Sequence, residues 1–182
     1  MTANRNRVRI IGGKWRSRLL KFPPAAQLRP TPDRVRETLF NWLGQRLDGL
    51  ACLDLFAGSG ALGFEALSRG ASRAVMVEKD REAAQALRDN AKLLEAGNAQ
   101  VVQRDALAYL AEAADEFDIA FIDAPFASDL ASRAMARLPR RLKPGARVYV
   151  ESAQPLAIDP PWAALREDRA GAVRYALYEL RP

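Results

Sequence analysis

The chain of 182 residues contains no histidine and one cysteine, Cys52. The first absence excludes Ser-His-Asp and Cys-His nucleophile chemistry, histidine-ligated zinc and the commonest general base. The second excludes an internal disulfide framework and any multi-cysteine metal site, so no metal is expected. Long apolar runs are missing too. The longest stretch without a charged residue runs from Leu55 to Phe64, far short of the roughly 18 apolar residues that a membrane-spanning helix needs. No apolar run follows the positively charged start, Met1 to Arg9. A secretory signal is therefore not expected, and the cytosol is the expected compartment.

Acidic residues are absent from one end. Before Asp33 the chain carries Arg5, Arg7, Arg9, Lys14, Arg16, Arg18, Lys21 and Arg29 and not one carboxylate side chain. The whole chain holds 28 Lys and Arg against 22 Asp and Glu, so the positive balance sits at the front and the body is slightly acidic. Such asymmetry points to a polyanionic partner met by the amino-terminal segment. With 49% hydrophobic residues, the rest suits one globular domain with a single core.

Two regions follow from the pattern. Val8 to Leu20 holds two short apolar and basic runs around Gly12-Gly13, which reads as a β-hairpin with arginines along one surface. Ile10, Ile11, Trp15 and Leu19 are the residues expected to pack. Phe22-Pro23-Pro24 breaks regular structure, and Arg29-Pro-Thr-Pro-Asp33 predicts a helix start with Thr31 as N-cap and Pro32 at the first helical position. Val35, Leu39, Trp42 and Leu43 recur at helical spacing along that helix.

After Gly49, short β-rich runs alternate with helical ones. Strands are predicted at Cys52–Phe56, Ala74–Glu78, Gln100–Gln103, Asp118–Asp123 and Arg147–Glu151, and helices at Leu62–Ser68, Arg81–Leu94, Ala106–Ala111 and about Asp129–Leu138. This rhythm implies right-handed βαβ units and a mostly parallel sheet covered on both faces. Leu165–Arg169 and Val173–Leu180 flank Ala170-Gly171 closely enough to form an antiparallel hairpin at the sheet edge. The expected division is a basic arm over residues 1–32 and an α/β domain over 33–182.

Three constellations carry chemistry. Gly58-Ser59-Gly60-Ala-Leu-Gly63 follows a strand and opens a helix, with Glu78 ending the next strand. Glycines there let the backbone turn tightly and approach a ligand, and a carboxylate about 20 residues on is placed for ribose hydroxyls. Asp54, inside the preceding strand, is expensive to bury unpaired and is expected to meet loop amides or a ligand cation. Asp105 suits both a helix cap and a cofactor contact. Asp123-Ala124-Pro125-Phe126 sits at the carboxyl end of a strand, where open α/β sheets bind ligands. Its carboxylate and carbonyl can accept hydrogen bonds from an amine, its proline fixes the turn and its ring can stack on a flat base.

Together these segments resemble class I S-adenosylmethionine-dependent methyltransferases acting on amino groups. Arg9-Ile-Ile-Gly-Gly-Lys-Trp15, Leu28-Arg-Pro-Thr-Pro-Asp-Arg-Val-Arg-Glu37 and Leu39-Phe-Asn-Trp-Leu43 further resemble the start of the bacterial 16S ribosomal RNA guanine-N2 methyltransferases. The resemblance covers nearly the whole chain and is weakest after about Gln154. It implies a Rossmann-like α/β fold with a mostly parallel seven-stranded sheet, an antiparallel C-terminal hairpin edge and an N-terminal β-hairpin extension. It also implies S-adenosylmethionine held by Asp54, Phe56, Gly58, Ser59, Gly60, Gly63, Glu78, Asp105, Ala106 and Thr31. Catalysis would fall to Asp123, Ala124, Pro125 and Phe126. Arg5, Arg7, Arg9, Lys14, Arg16, Arg18, Arg29, Arg34 and Arg36 would contact small-subunit ribosomal RNA, free or in an assembling particle. One departure stands out: the family tetrapeptide is usually Asp-Pro-Pro-aromatic, and Ala124 replaces the first proline.

The residues alone leave other readings open. The glycine pattern also serves nicotinamide dinucleotides, although the chain leaves no room for a separate substrate domain. The tetrapeptide reads an amino group and not a particular base, so adenine N6 is an alternative target. A non-catalytic RNA-binding assembly factor could keep the same fold. A monomer without membrane association is the expected state.

Overall fold

A computed structural model of the chain describes residues 6–24 and 30–181. Strands β1 (Arg7–Arg9) and β2 (Leu19–Lys21) form the expected antiparallel pair, with Val8 opposite Leu20. Beyond the strands Ile10 N–H still donates to the Arg18 carbonyl at 2.9 Å and Ser17 N–H to the Ile10 carbonyl at 2.8 Å, while the turn between them reaches out to α2. Ile10, Trp15 and Leu20 are buried, while Leu19 is exposed; alternation along β2 sends Leu20 inward and Leu19 out. The hairpin shares one apolar core with α1 (Asp33–Trp42) and α2 (Ala61–Ser68). Its backbone is pinned to α2: Lys14 N–H donates to the Ser68 carbonyl at 2.8 Å, and Trp15 N–H to Ser68 Oγ at 2.9 Å.

Helix α1 begins as predicted, but Pro32 occupies the cap position and no side chain caps it. Thr31 instead turns its hydroxyl into the protein (below). Val35, Leu39, Phe40 and Leu43 are buried, and Trp42 stacks on Tyr175 with ring centroids 5.4 Å apart.

The body alternates β3 (Ala51–Asp54), α2, β4 (Arg73–Glu78), α3 (Arg81–Leu93), β5 (Ala99–Gln103), α4 (Ala106–Glu112), β6 (Phe117–Ile122), α5 (Leu130–Arg137) and β7 (Leu142–Ser152). Then β8 (Trp162–Ala170) and β9 (Val173–Leu180) close the sheet. Strand order is β5-β4-β3-β6-β7-β9-β8, with the first five parallel and β9 antiparallel to both β7 and β8. The central strands β3 and β6 are buried on both faces, Asp118 of β6 being half-buried, as their largely apolar sequences require. The order reverses between β3 and β6, so the carboxyl ends of β3, β4 and β6 open a crevice at the switch point.

Candidate active site

A cavity of about 550 Å³ occupies that crevice, lined by residues following β3, β4, β5 and β6. Its wall includes Thr31, Asp54, Phe56, Gly58, Ser59, Glu78, Asp105, Ala106 and the whole Asp123–Phe126 tetrapeptide. The fold thus gathers sites that lie far apart in sequence, because each follows the end of a neighbouring parallel strand. Gly60 and Gly63 stand behind this wall. Gly60 has φ +79° at the start of α2, a left-handed conformation suited to glycine. At Gly63 an added Cβ would sit 2.7 Å from Met76 Cγ, so this glycine serves close packing of α2 on the sheet.

Asp54 is buried, and its Oδ2 accepts the Gly63 N–H at 2.9 Å. Burial pushes its carboxyl up to about 7, against the lowering effect of that bond and with Glu78 adding repulsion. Glu78 holds the other side of the loop: one oxygen accepts Gly58 N–H at 2.9 Å, the other Asp80 N–H at 2.8 Å. Each oxygen keeps a free lone pair for ribose hydroxyls. Asp105 caps α4 by accepting Ala108 N–H at 3.0 Å, is exposed, and also lines the cavity. The loop amides, the two carboxylates and the apolar Phe56, Val77, Ala106 and Leu130 between them fit a nucleoside with an adenine ring and a ribose.

The tetrapeptide lines the same cavity, following β6 beside β3. Ser128 Oγ donates to the Pro125 carbonyl at 2.6 Å, tying the turn. Ala124 is buried, whereas Phe126 is 47% exposed at the mouth, where a ring can stack on an incoming base. Thr31 Oγ1 donates to Glu151 Oε1 at 2.8 Å and lies 3.4 Å from Asp123 Oδ2. Desolvation, then the Glu151 charge beside it, holds the Asp123 carboxyl well above the usual carboxylate range.

Sequence reasoning missed Glu151, although its signal was the same as for Glu78 and Asp123: an acid ending an apolar strand. It also missed Lys79, Asp80 and Arg104, which line the cavity.

Among the basic residues, Arg7, Arg9, Lys14, Arg16, Arg18 and Arg34 are exposed. Arg9 pairs with Asp33 at 2.7 Å, and the Lys14 ammonium lies 4.2 Å from the Trp15 ring centroid. Arg36 is a correction: it is fully buried and cannot meet RNA. Its guanidinium donates to Asp33, Glu65 and the carbonyls of Arg9 and Thr31, because a charge on the inner face of α1 must find partners. Arg5 and Arg29 lie outside the described residues.

Comparison with known proteins places these features in context. Residues 8–179 match the family model described as conserved hypothetical protein 95. The chain is 46% identical over 177 residues to ribosomal RNA small subunit methyltransferase D of Escherichia coli K12, covering 94% of this chain and 89% of that protein. The Haemophilus influenzae protein of the same name is 43% identical over 180 residues, covering 94% of this chain and 93% of that one. Among solved structures, Escherichia coli yhhF superposes with a TM-score of 0.89 at 46% identity, covering 96% of this chain and 98% of that chain. An RNA methyltransferase from Salinibacter ruber, solved with S-adenosyl-L-homocysteine, shares the fold with a TM-score of 0.67 at 20% identity, over 84% of this chain and 94% of that one.

Proposed function

The chain belongs to the family of the bacterial small-subunit ribosomal RNA methyltransferases D, and from that membership we propose that it methylates the exocyclic N2 amine of a guanine in 16S ribosomal RNA. The coarser activity is S-adenosylmethionine-dependent methylation of small-subunit ribosomal RNA. The observation that carries the finer reading is that the Asp123–Phe126 turn lines the same cavity as the glycine loop and Glu78. When bound, S-adenosylmethionine supplies a methyl group already activated on a sulfonium, whose sulfur departs as a neutral thioether.

This chain's residues then have a positioning task. Asp54, Phe56, Gly58, Ser59, Glu78, Asp105 and Ala106 would hold the cofactor, with Gly60 and Gly63 shaping the loop. A guanine amine is a weak nucleophile because its lone pair is delocalised into the ring. Hydrogen bonds accepted from it by Asp123 and the Ala124 carbonyl orient the amine and favour its pyramidal, nucleophilic form. Pro125 and Ser128 fix the turn, and Phe126 holds the ring by stacking. Alanine supplies the same carbonyl that proline would, so Ala124 keeps the essential acceptor. In-line placement of two bound reactants accounts for much of the rate and needs no imidazole.

Reaching the amine requires the base to leave its stack. The exposed Arg7, Arg9, Lys14, Arg16, Arg18 and Arg34, with Arg5 and Arg29 of the same basic segment, would grip surrounding phosphates. The arm over 1–32 would thus serve RNA and the domain over 33–182 chemistry.

The test is methyl transfer from labelled S-adenosylmethionine to small-subunit particles and RNA lacking the modification, read by mass spectrometry of nucleosides. N2-methylguanosine is expected with wild type and not with Asp123→Ala. N6-methyladenosine would move the reading to another amine, and binding without transfer would favour an assembly factor.

A further inference from the structure

The reading above leaves Glu151 without a task, and its surroundings supply one. Strands β6 and β7 run parallel with Ile122 opposite Val150, so Asp123, just past the end of β6, stands beside Glu151 of β7. Glu151 is buried. Its Oε1 accepts from the Tyr149 hydroxyl at 2.9 Å and from Thr31 Oγ1 at 2.8 Å. The Thr31 hydroxyl has one hydrogen, and the shorter contact commits it to Glu151. What it offers Asp123 is therefore a lone pair, which a protonated Asp123 fills. Among the described residues no cationic side chain pairs with either carboxyl group. Arg36 Nε donates to the Thr31 carbonyl at 3.1 Å and to neither carboxyl group. Two bare carboxylates in this desolvated wall would repel, so the pair holds one proton and one negative charge.

We propose that Glu151 is a positioning residue for amine methylation, which holds Asp123 through Thr31 and receives, by way of that hydroxyl, the proton that the methylated amine must lose. This rests on the reading of Asp123 as the acceptor of the target amine. The nitrogen lone pair forms the new bond to carbon, and the former carbon–sulfur pair stays on sulfur. The nitrogen then keeps the electron pair of one N–H bond while its proton passes to the free oxygen of Asp123. The proton on the other Asp123 oxygen moves to Thr31 Oγ1, whose own hydrogen moves to Glu151 Oε1. Charge is neutralised at Glu151 and the reacting end stays a carboxylic acid throughout. The second proton departs with product release.

Several charged and titratable groups face the pair. Tyr149 lies on β7, Tyr175 lies opposite Glu151 on β9, Asp54 ends β3, and Arg36 of α1 sits behind Thr31. Burial raises the Glu151 carboxyl too, against hydrogen bonds from the Thr31 and Tyr149 hydroxyls and from Asp123 itself.

The experiment is a carbon-13 carboxyl titration of the full chain by NMR, paired with single-turnover methyl transfer from pH 5 to 9 and S-adenosylhomocysteine titration. In Glu151→Gln the Asp123 carboxyl loses its anionic neighbour and should titrate at least one pH unit lower. The single-turnover rate should fall at least tenfold, with S-adenosylhomocysteine affinity within about twofold of wild type. Thr31→Val should lower the rate similarly and Thr31→Ser should restore it, which also covers a Glu151→Gln chain that fails to fold. An unmoved Asp123 titration, or a wild-type rate in both Glu151→Gln and Thr31→Val, overturns the proposal. A wild type that methylates no guanine but shows the Asp123 shift overturns the guanine reading and leaves the carboxyl pair standing.

Discussion

The Arg36 guanidinium and the Glu65 carboxylate meet at 3.4 Å with both side chains fully withdrawn from water. Glu65 Oε1 also accepts Gly12 N–H at 2.8 Å and Arg69 Nε at 2.9 Å, and Oε2 accepts Ile11 N–H at 2.8 Å. One carboxylate on α2 thereby fixes the hairpin backbone, while Arg36 ties the same point to α1 and to the carbonyl of Thr31 at the cavity wall. The basic arm is oriented relative to the cavity by a buried polar cluster, in addition to its apolar contacts.

Replacing Arg36 by alanine would remove one of the two cations on buried Glu65 and leave the Thr31 and Arg9 carbonyls without their guanidinium donor. Breaking such a pair from one side costs about 3–5 kcal/mol. Urea unfolding of Arg36→Ala should show a loss in that range, with RNA affinity of the folded fraction little changed. An RNA-affinity loss without destabilisation would return Arg36 to the RNA surface.

Asp54 gives a pH dependence of defined sign. Its folded-state carboxyl is pushed up to about 7 from the ordinary 3.8. The stability it contributes is therefore fully present below about pH 4 and is lost as pH rises through about 7. The gap corresponds to about 4 kcal/mol. Asp54→Asn keeps an acceptor for the Gly63 N–H and has no charge to bury. Its unfolding free energy relative to wild type should rise between pH 5 and 8 by a few kcal/mol. Parallel curves for the two proteins would refute the assignment.

Gly60→Ala tests the loop. The left-handed backbone costs about 1–2 kcal/mol with a side chain, and the new Cβ would meet Leu87 Cδ2 at 2.6 Å and Phe64 Cδ2 at 2.7 Å. Overpacking of this kind costs about 1–3 kcal/mol more. Gly145→Ala shares the positive φ but has nothing within 4 Å, so it separates the two effects. Thermal melts should rank Gly60→Ala well below Gly145→Ala, and only the former should weaken S-adenosylhomocysteine binding.

Much of this arrangement is legible in the sequence. The alternation of apolar runs and helical periods dictated a parallel sheet, and glycine spacing followed by Glu78 located the ligand crevice. What periodicity could not resolve was side-chain commitment. Thr31 reads as an N-cap from its neighbours, yet a buried carboxylate 120 residues away takes its hydroxyl, and α1 is left without a side-chain cap. Arg36 sits in a basic run and reads as solvated, but position on the helix turns it inward. Leu19 and Leu20 are indistinguishable by composition, and only strand register decides which one packs. In each case the deciding partner is distant in sequence, where local patterns carry no information.

The exposed arginines of the hairpin predict a salt dependence. If Arg7, Arg16 and Arg18 each neutralise a phosphate, every removal should flatten the slope of log affinity against log salt by about 0.7–0.9. The triple alanine variant should therefore lose about two units of slope in fluorescence anisotropy with small-subunit RNA, and its binding should weaken almost independently of sequence. Arg9 should matter less, because Asp33 already holds its guanidinium at 2.7 Å and phosphate must compete with that carboxylate. Binding of S-adenosylhomocysteine should not change in any of these variants, since none of the four residues lines the cavity. An unchanged slope in the triple variant would mean that the arm faces something other than phosphate, and would leave its charge asymmetry without a nucleic-acid explanation.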